Sequence, residues 1–223
     1  MRCVYRTVSR DGNGIYEEKK SRFLGEVHSV RSEAEAESFL SAARKREYGA
    51  NHHCYAYVIG EKSETRKCSD DGEPQKTAGM PILNVLLGEG VTNVMLIVSR
   101  YFGGTLLGTG GLVRAYESAA KAALSDAGII EVKPGLLSSV TTDYNGYEKI
   151  RRFFQDFDIA VSDTAFSETV KVTFVVEENA FEEISASIID RLQGRAAVKK
   201  EQEVRFFTEN GKARICEYGE TIC

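Results

Sequence analysis

The chain has no apolar run near the ~20 residues that a membrane-spanning helix requires. Its start, Met-Arg-Cys-Val-Tyr-Arg, has no apolar segment of the secretory kind, so a cytoplasmic protein with no membrane partner is expected. The cysteines, Cys3, Cys54, Cys68, Cys216 and Cys223, are odd in number and form no C-x-x-C pair, which excludes a disulfide framework and leaves reduced thiols. There are no internal repeats and no low-complexity segments. A strong excess of charge is also lacking: the net charge is −4, made of +1 up to Pro134 (18 basic, 17 acidic residues) and −5 beyond it (11 and 16). Binding along a phosphate backbone draws its affinity from many Lys and Arg contacts. Any contact with nucleic acid is therefore expected to be local and on the first half.

What is present suits a soluble globular protein: 223 residues, 42% hydrophobic and 28% charged, enough for one large or two ordinary domains. A break is expected at Val132-Lys133-Pro134-Gly135, where a strand-like stretch runs into Pro-Gly. After it, residues 137–143 read as a strand. Asn145 with Glu148 has capping-box spacing ahead of an apolar face of Tyr147, Ile150, Phe154 and Phe157. Strands are expected at 159–166 and 169–176, the latter with Val170, Val172, Phe174 and Val176 alternating. Asn179 with Glu182 opens a second helix, with Phe181, Ile184, Ile188 and Leu192 inward and Gly194 ending it. A last strand lies at 196–207. The order is βαββαβ, the ferredoxin-like arrangement. Residues 209–223 are expected to form a loose tail.

The first half is also mixed. A strand at 3–8 is followed by a turn, Asp11-Gly12-Asn13-Gly14, and a long strand from Ile15 to Val30. Ser32 with Glu35 caps a helix whose Ala36, Phe39, Leu40 and Ala43 share a face. Residues 52–59 read as a strand, 61–76 as a polar loop, 82–87 as a helix and 92–99 as a buried strand. An alanine-rich helix from Leu112 to Ala127 presents Leu112, Ala115, Tyr116, Ala119 and Ala123 inward, which implies close packing on a sheet.

The most specific stretch runs from that buried strand into the alanine-rich helix through Gly103, Gly104, Gly108, Gly110 and Gly111, with Thr109 among them. Such glycines let the backbone approach a ligand closely, and a helix N-terminus follows, where free N–H groups and the dipole favour an anion. Arg100 and Arg114 add charge on either side. One reading is a phosphate-cradling loop; the other is close strand–helix packing with nothing bound. The spacing fits neither the dinucleotide fingerprint nor the Walker pattern.

A second feature is Ser69-Asp70-Asp71-Gly72-Glu73-Pro74, with Thr77 beyond it. Its carboxylates would hold a cation beside a phosphate, or they make a solvated turn in which Asp70 or Asp71 caps an element. His52-His53-Cys54 with Cys68 suggests a metal. However, alternation on a strand points His52 and Cys54 to one face and His53 and Tyr55 to the other, so core cysteine and rim histidine is the preferred reading. No metal site, cofactor or nucleophile is assigned, since no elbow motif frames Cys54, Cys68 or Ser69.

Ser69-Asp70-Asp71-Gly72-Glu73-Pro74, Thr77-Ala78-Gly79, Pro81-Ile82-Leu83, Arg100-Tyr101-Phe102-Gly103-Gly104 and Leu107-Gly108-Thr109-Gly110-Gly111-Leu112-Val113-Arg114-Ala115-Tyr116 together resemble the Impact family, also called YigZ-like. Lys20-Ser21-Arg22-Phe23-Leu24-Gly25 and His53-Cys54-Tyr55-Ala56-Tyr57 extend the resemblance to essentially the whole chain. It departs at Gln75-Lys76 and Met80, where the family pattern carries Ser-Gly and often Lys. The resemblance implies an α+β protein of two domains. Residues 1–133 would have a βα fold like the second domain of a small-subunit ribosomal protein. Residues 136–208 would be a ferredoxin-like domain resembling the last domain of elongation factor G.

It also implies translational control, since eukaryotic members act under amino-acid starvation by competing for a ribosome-associated activator of a starvation kinase. Three functional readings follow. The first is a regulator docking on RNA, the ribosome or a translation-factor protein, using an open sheet face of the second domain and the basic groups Arg44-Lys45-Arg46, Arg66-Lys67, Arg100 and Arg114. The second is an enzyme acting on a nucleotide or phosphoester, with a phosphate-bearing small ligand on the glycine loop. In the third, the acidic and glycine segments pack on each other and form a groove for a partner peptide. The family implication favours regulation.

Overall fold

The computed structural model describes residues 4–216, which divide into one compact unit from Tyr5 to Glu131 and another from Val132 onward. The first unit is built on a five-stranded antiparallel sheet ordered β2-β3-β6-β4-β5, with β2 at Gly12–Glu18, β3 at Ser21–Ser29, β4 at His52–Ile59, β5 at Thr65–Ser69 and β6 at Val94–Tyr101. Alternation along the strands splits their side chains between two cores. One face carries Tyr57, Ile59, Met95 and Ile97 against Ala36 and Ala43 of α1 (Glu33–Arg46). The other carries Cys54, Ala56, Val58, Leu96 and Val98 against α2 (Gly79–Gly88) and α3 (Gly108–Ala127). The helix α1 starts as its sequence implies, since the Ser32 hydroxyl accepts from Glu35 N at 3.2 Å. β1 (Tyr5–Val8) pairs with β7 (Ile129–Thr142), the strand by which the chain passes into the second unit. Cys3, expected at the start of β1, lies outside the described residues.

The alanines of α3 do pack closely on the sheet. A Cβ at Gly14 would lie 2.3 Å from Ala123 N, and one at Gly12 would lie 2.5 Å from Ala123 O, so glycine is what lets the helix backbone rest on β2. Those glycines, expected in a turn, therefore lie inside a strand. The actual turn is at Lys19 (φ 47) and Lys20 (φ 66), and it divides the expected long strand into β2 and β3. A two-residue hairpin turn needs positive φ at both central residues and is usually announced by Asn-Gly. Two lysines give no such signal. The expected loop 61–76 likewise contains β5, a polar edge strand paired on one side only, with β4.

The second unit has the expected topology. Its strands β7, β8 (Ala160–Phe166), β9 (Val170–Val176) and β10 (Val198–Glu209) pair antiparallel in the order β10-β7-β9-β8. The helices α4 (Tyr144–Asp156) and α5 (Phe181–Arg191) cover one face, over Val170, Val172, Phe174 and Val176. Several local details differ. β7 runs straight through Pro134-Gly135; its ladder with β9 begins only at Leu136, so β9 requires no N–H from Pro134. The cap of α4 is Asp143, whose Oδ1 accepts from Gly146 N at 2.6 Å, rather than Asn145. The helix α5 follows a 3-10 turn (Glu178–Ala180) with no side-chain cap, so the Asn179–Glu182 box does not form. Phe153 takes the buried place expected for Phe157, which is exposed and packs on the Phe153 ring at 4.7 Å.

Two differences bear on function. Part of the expected loose tail folds back as β11 (Lys212–Cys216), paired with β10 through Asn210 (φ 51) and Gly211 (φ 74), a hairpin turn in an Asn-Gly dipeptide; residues 217–223 lie outside the described part. β11 also bridges to β8 at Lys212–Val161, so the sheet curls round on itself. At that end the face away from the helices is therefore filled by Ala160, Val175, Val204, Phe206 and Ala213. The sheet face expected as an open docking surface is thus closed at this end, among the described residues, while the paired Thr141 and Lys171 further along it are exposed.

Candidate functional site

The acidic loop between β5 and α2 turns its carboxylates inward, each to a different element. Asp70 accepts from Ala78 N at 3.0 Å and Gly79 N at 2.8 Å through Oδ1, and from Lys76 N at 2.8 Å through Oδ2. It thereby caps the N-terminus of α2, which has no cap of its own. Asp71 accepts from Arg44 Nη2 and from His53 N, both at 2.7 Å. Its carbonyl accepts from His52 Nδ1 at 2.8 Å, which makes Nδ1 a donor. The Thr77 hydroxyl donates to Pro74 O at 2.6 Å and closes the loop.

Glu73 goes deepest. Its Oε1 lies 2.5 Å from Arg100 Nη1 and accepts from the Tyr116 hydroxyl at 2.9 Å, with both charged side chains more than nine-tenths buried. Arg100, at the end of β6, also donates to Ser21 Oγ at 3.4 Å and stacks near the rings of Phe23 and Phe102. The Cys54 thiol lies 3.3 Å from the Tyr116 oxygen and 3.0 Å from Asp70 O. Burial pushes both the Cys54 thiol and the Tyr116 phenol well up, so both stay protonated at neutral pH. Cys54 is thus a core group, and a thiolate nucleophile has no support there.

The glycine stretch divides in two. Gly103 is a packing residue, because a Cβ there would lie 2.0 Å from the carbonyl carbon of Lys20, and its N–H donates to Ser21 Oγ at 3.1 Å. Gly104 (φ 81) and Gly108 (φ 70) have nothing within 4 Å of a Cβ position. Gly108, Thr109 and Gly110 are the exposed first residues of α3, which has no side-chain cap and no acidic residue in its first turn. Gly111 is buried beneath them. Arg114 is exposed and lies 3.7 Å from a Cβ at Gly110; among the described residues it forms no ion pair. Phe102 (45% exposed) and Leu106 (81%) place apolar surface beside this turn.

Glu73 and Arg100 are therefore brought together, Asp70 and Asp71 are turned to α2 and to Arg44, and among the described residues Arg114 forms no ion pair with any of the three carboxylates. The other basic groups read from the sequence are largely engaged: Arg46 pairs with Glu26, Lys67 lies 4.0 Å from Glu33, and Arg66 donates to Ser63 O at 3.1 Å. Sequence reasoning placed Tyr116 inward without its role; a buried tyrosine hydroxyl requires a partner, and that was the available signal. The cross-strand pair His53 Nδ1 and Ser99 Oγ, at 2.9 Å, was illegible without the β4–β6 register. Among the described residues no cluster of three or more His, Cys, Asp or Glu is arranged to hold a metal ion, and no helix is long and apolar enough to cross a membrane.

Comparison with known proteins matches the Impact N-terminal domain over residues 19–124 and a domain of unknown function, DUF1949, over 140–195. The chain is 34% identical to IMPACT family member YvyE of Bacillus subtilis over 196 residues, which is 88% of this chain and 90% of the relative. It is 32% identical to IMPACT family member YigZ of Escherichia coli over 182 residues, 81% and 89% of the two chains. Protein IMPACT of Homo sapiens matches over 96 residues at 34%, covering 41% of this chain and 29% of that protein. A crystal structure of a hypothetical protein superposes with a TM-score of 0.57 at 30% identity, covering 91% of this chain and 99% of the other.

Proposed function

We propose that this chain, which belongs to the Impact family, is a binding protein of translational control that docks an anionic group of RNA, the ribosome or a translation factor on the N-terminal turn of α3. The observation that carries this reading is the contrast within the candidate residues. The carboxylates of the acidic loop are bonded within the protein, whereas Gly108, Thr109 and Gly110 present an exposed, uncapped helix start beside the exposed Arg114. Free N–H groups and the positive dipole end attract an anion there, and Phe102 and Leu106 supply flanking apolar contact. The association with translation comes from the family resemblance. With Asp70, Asp71 and Glu73 engaged, the nucleotide-enzyme reading loses the carboxylates that would hold its cation. The acidic loop is better read as the brace that fixes β6, α2 and α3 behind the docking turn.

Co-sedimentation with ribosomes across a salt series tests the proposal. The bound fraction is expected to fall as salt rises, since each phosphate contact releases counterions, and Arg114→Glu is expected to lower it at every salt concentration. A profile free of ribosomes at low salt overturns the ribosome reading. A thermal shift with a nucleotide and magnesium, expected to be absent, would favour the enzyme instead.

A further inference from the structure

The α1 side of the first sheet has a cavity. The helix packs over Tyr57, Ile59, Met95 and Ile97, its Phe39 stacks on the His28 ring of β3 at 4.1 Å, and beyond these contacts the face carries Ile15, Leu24 and Glu26. A cavity of about 210 Å³ lies there, larger than the ~150 Å³ void that holds benzene in an engineered core. Ile15 and Leu24 give it apolar wall, Ser99 lines it from β6, and Glu26, Arg46 and Glu47 close the side next to the end of α1.

The charges are unevenly satisfied. The Glu26 side chain is 9% exposed, and its Oε1 has no hydrogen-bond partner among the described residues. Its Oε2 takes the guanidinium of Arg46 and lies 3.4 Å from His28 Nε2; Arg46 Nε is also 3.5 Å from Glu47 Oε1, and the other Glu47 oxygen accepts from the Tyr101 hydroxyl at 2.9 Å. Arg46 therefore bridges the two carboxylates, at the negative end of the α1 dipole. That cation is carried on a long side chain that is itself 54% exposed. Arg22, the other cation of the lining, lies at the exposed rim 3.7 Å from Glu17. An anion entering here would meet Glu26 and Glu47, and burying a carboxylate with a free oxygen is costly unless a donor reaches it.

We propose that this cavity binds a small organic cation, a primary ammonium or guanidinium compound. The ligand takes the place of Arg46 between Glu26 and Glu47 and lays its aliphatic stem along Ile15 and Leu24. In the free protein Arg46 is the resident substitute for that ligand, and its side chain swings to solvent on binding.

Titration of the whole chain with agmatine and with putrescine, followed by calorimetry and by the histidine ring signals of His28 and His53, tests the proposal. Saturable binding of at least one amine is expected, and Arg46→Ala is expected to tighten it by about tenfold, or ~1.4 kcal/mol, because an internal competitor is removed. Glu26→Gln is expected to abolish it in either background, with Glu47→Gln as the second variant should Glu26→Gln fail to fold. No saturation of wild type or Arg46→Ala by about 10 mM amine, binding no tighter in Arg46→Ala, or binding indifferent to the carboxamide variants would each overturn it.

Discussion

Glu73 and Arg100 form an ion pair at 2.5 Å with side chains 3% and 6% exposed, tying the acidic loop to the end of β6. Removing one partner leaves a buried charge uncompensated, so Glu73→Gln and Arg100→Met are each expected to destabilise the first unit by about 3–5 kcal/mol. The double variant is expected to cost less than the two singles together, because neither charge is then left alone. Urea unfolding of the three variants measures this, and strictly additive losses would show that the two residues act independently.

The glycines of the first unit are expected to separate by role. Gly14→Ala forces a Cβ to 2.3 Å from Ala123 N, a contact with backbone that no rotamer relieves, and is expected to cost more than about 3 kcal/mol as α3 lifts from β2. Gly110→Ala places its Cβ in ordinary contact with the flexible Arg114 side chain, 3.7 Å from Nη1, within a helix and is expected to be neutral or stabilising by up to ~1 kcal/mol. Thermal unfolding of the pair would expose an error if Gly14→Ala proved the milder change.

Lys76 sits at φ 63, in the left-handed region that glycine adopts freely, and glycine is what the family resemblance implies there. Its N–H to Asp70 Oδ2 is a backbone bond that glycine retains. Lys76→Gly is therefore expected to stabilise by roughly 1 kcal/mol, the relief of strain less the added freedom of the unfolded chain. A lower denaturation midpoint in the variant would contradict this account of the departure.

Two histidines are expected to pull stability in opposite directions with pH. Burial acts to lower the pKa of His28, but hydrogen bonds to Glu26 and Asp11 outweigh it and hold the pKa above the ordinary histidine value. Its contribution is full below the unfolded-state pKa and is lost as pH rises through the folded one. Burial lowers the pKa of His53 against the opposing charge of Asp71. Its contribution is present above the unfolded-state pKa and is lost as pH falls through the folded one. Urea midpoints measured on both sides of about pH 6.5 should show His28→Gln flattening the alkaline limb and His53→Gln the acid limb. Unchanged profiles in both variants would remove these residues from the pH dependence.

Much of this molecule was legible from periodicity alone. The 3.6-residue spacing of Leu112, Ala115, Tyr116, Ala119 and Ala123 gave the buried face of α3, and the period-2 run Val170, Val172, Phe174 and Val176 gave the inner face of β9. Such patterns depend only on which side of an element meets water. The turn at Lys19-Lys20 was hidden because the chain beyond it, not the dipeptide, imposes the positive φ values. The closure of the second sheet was hidden because β11 is short and polar, and its place depends on β10 and β8.

The candidate site divides along the same line. Glycine spacing and the clustered carboxylates marked both loops, since those residue types are costly or permissive wherever they stand. Their division of labour required the fold: only the placement of Arg44, Arg100 and Tyr116, from α1, β6 and α3, turned Asp71 and Glu73 inward, while the first turn of α3 was left uncovered. A side chain's chemistry is written in its own residue, but whether that chemistry is spent within the protein or offered to a partner depends on neighbours far away in the chain.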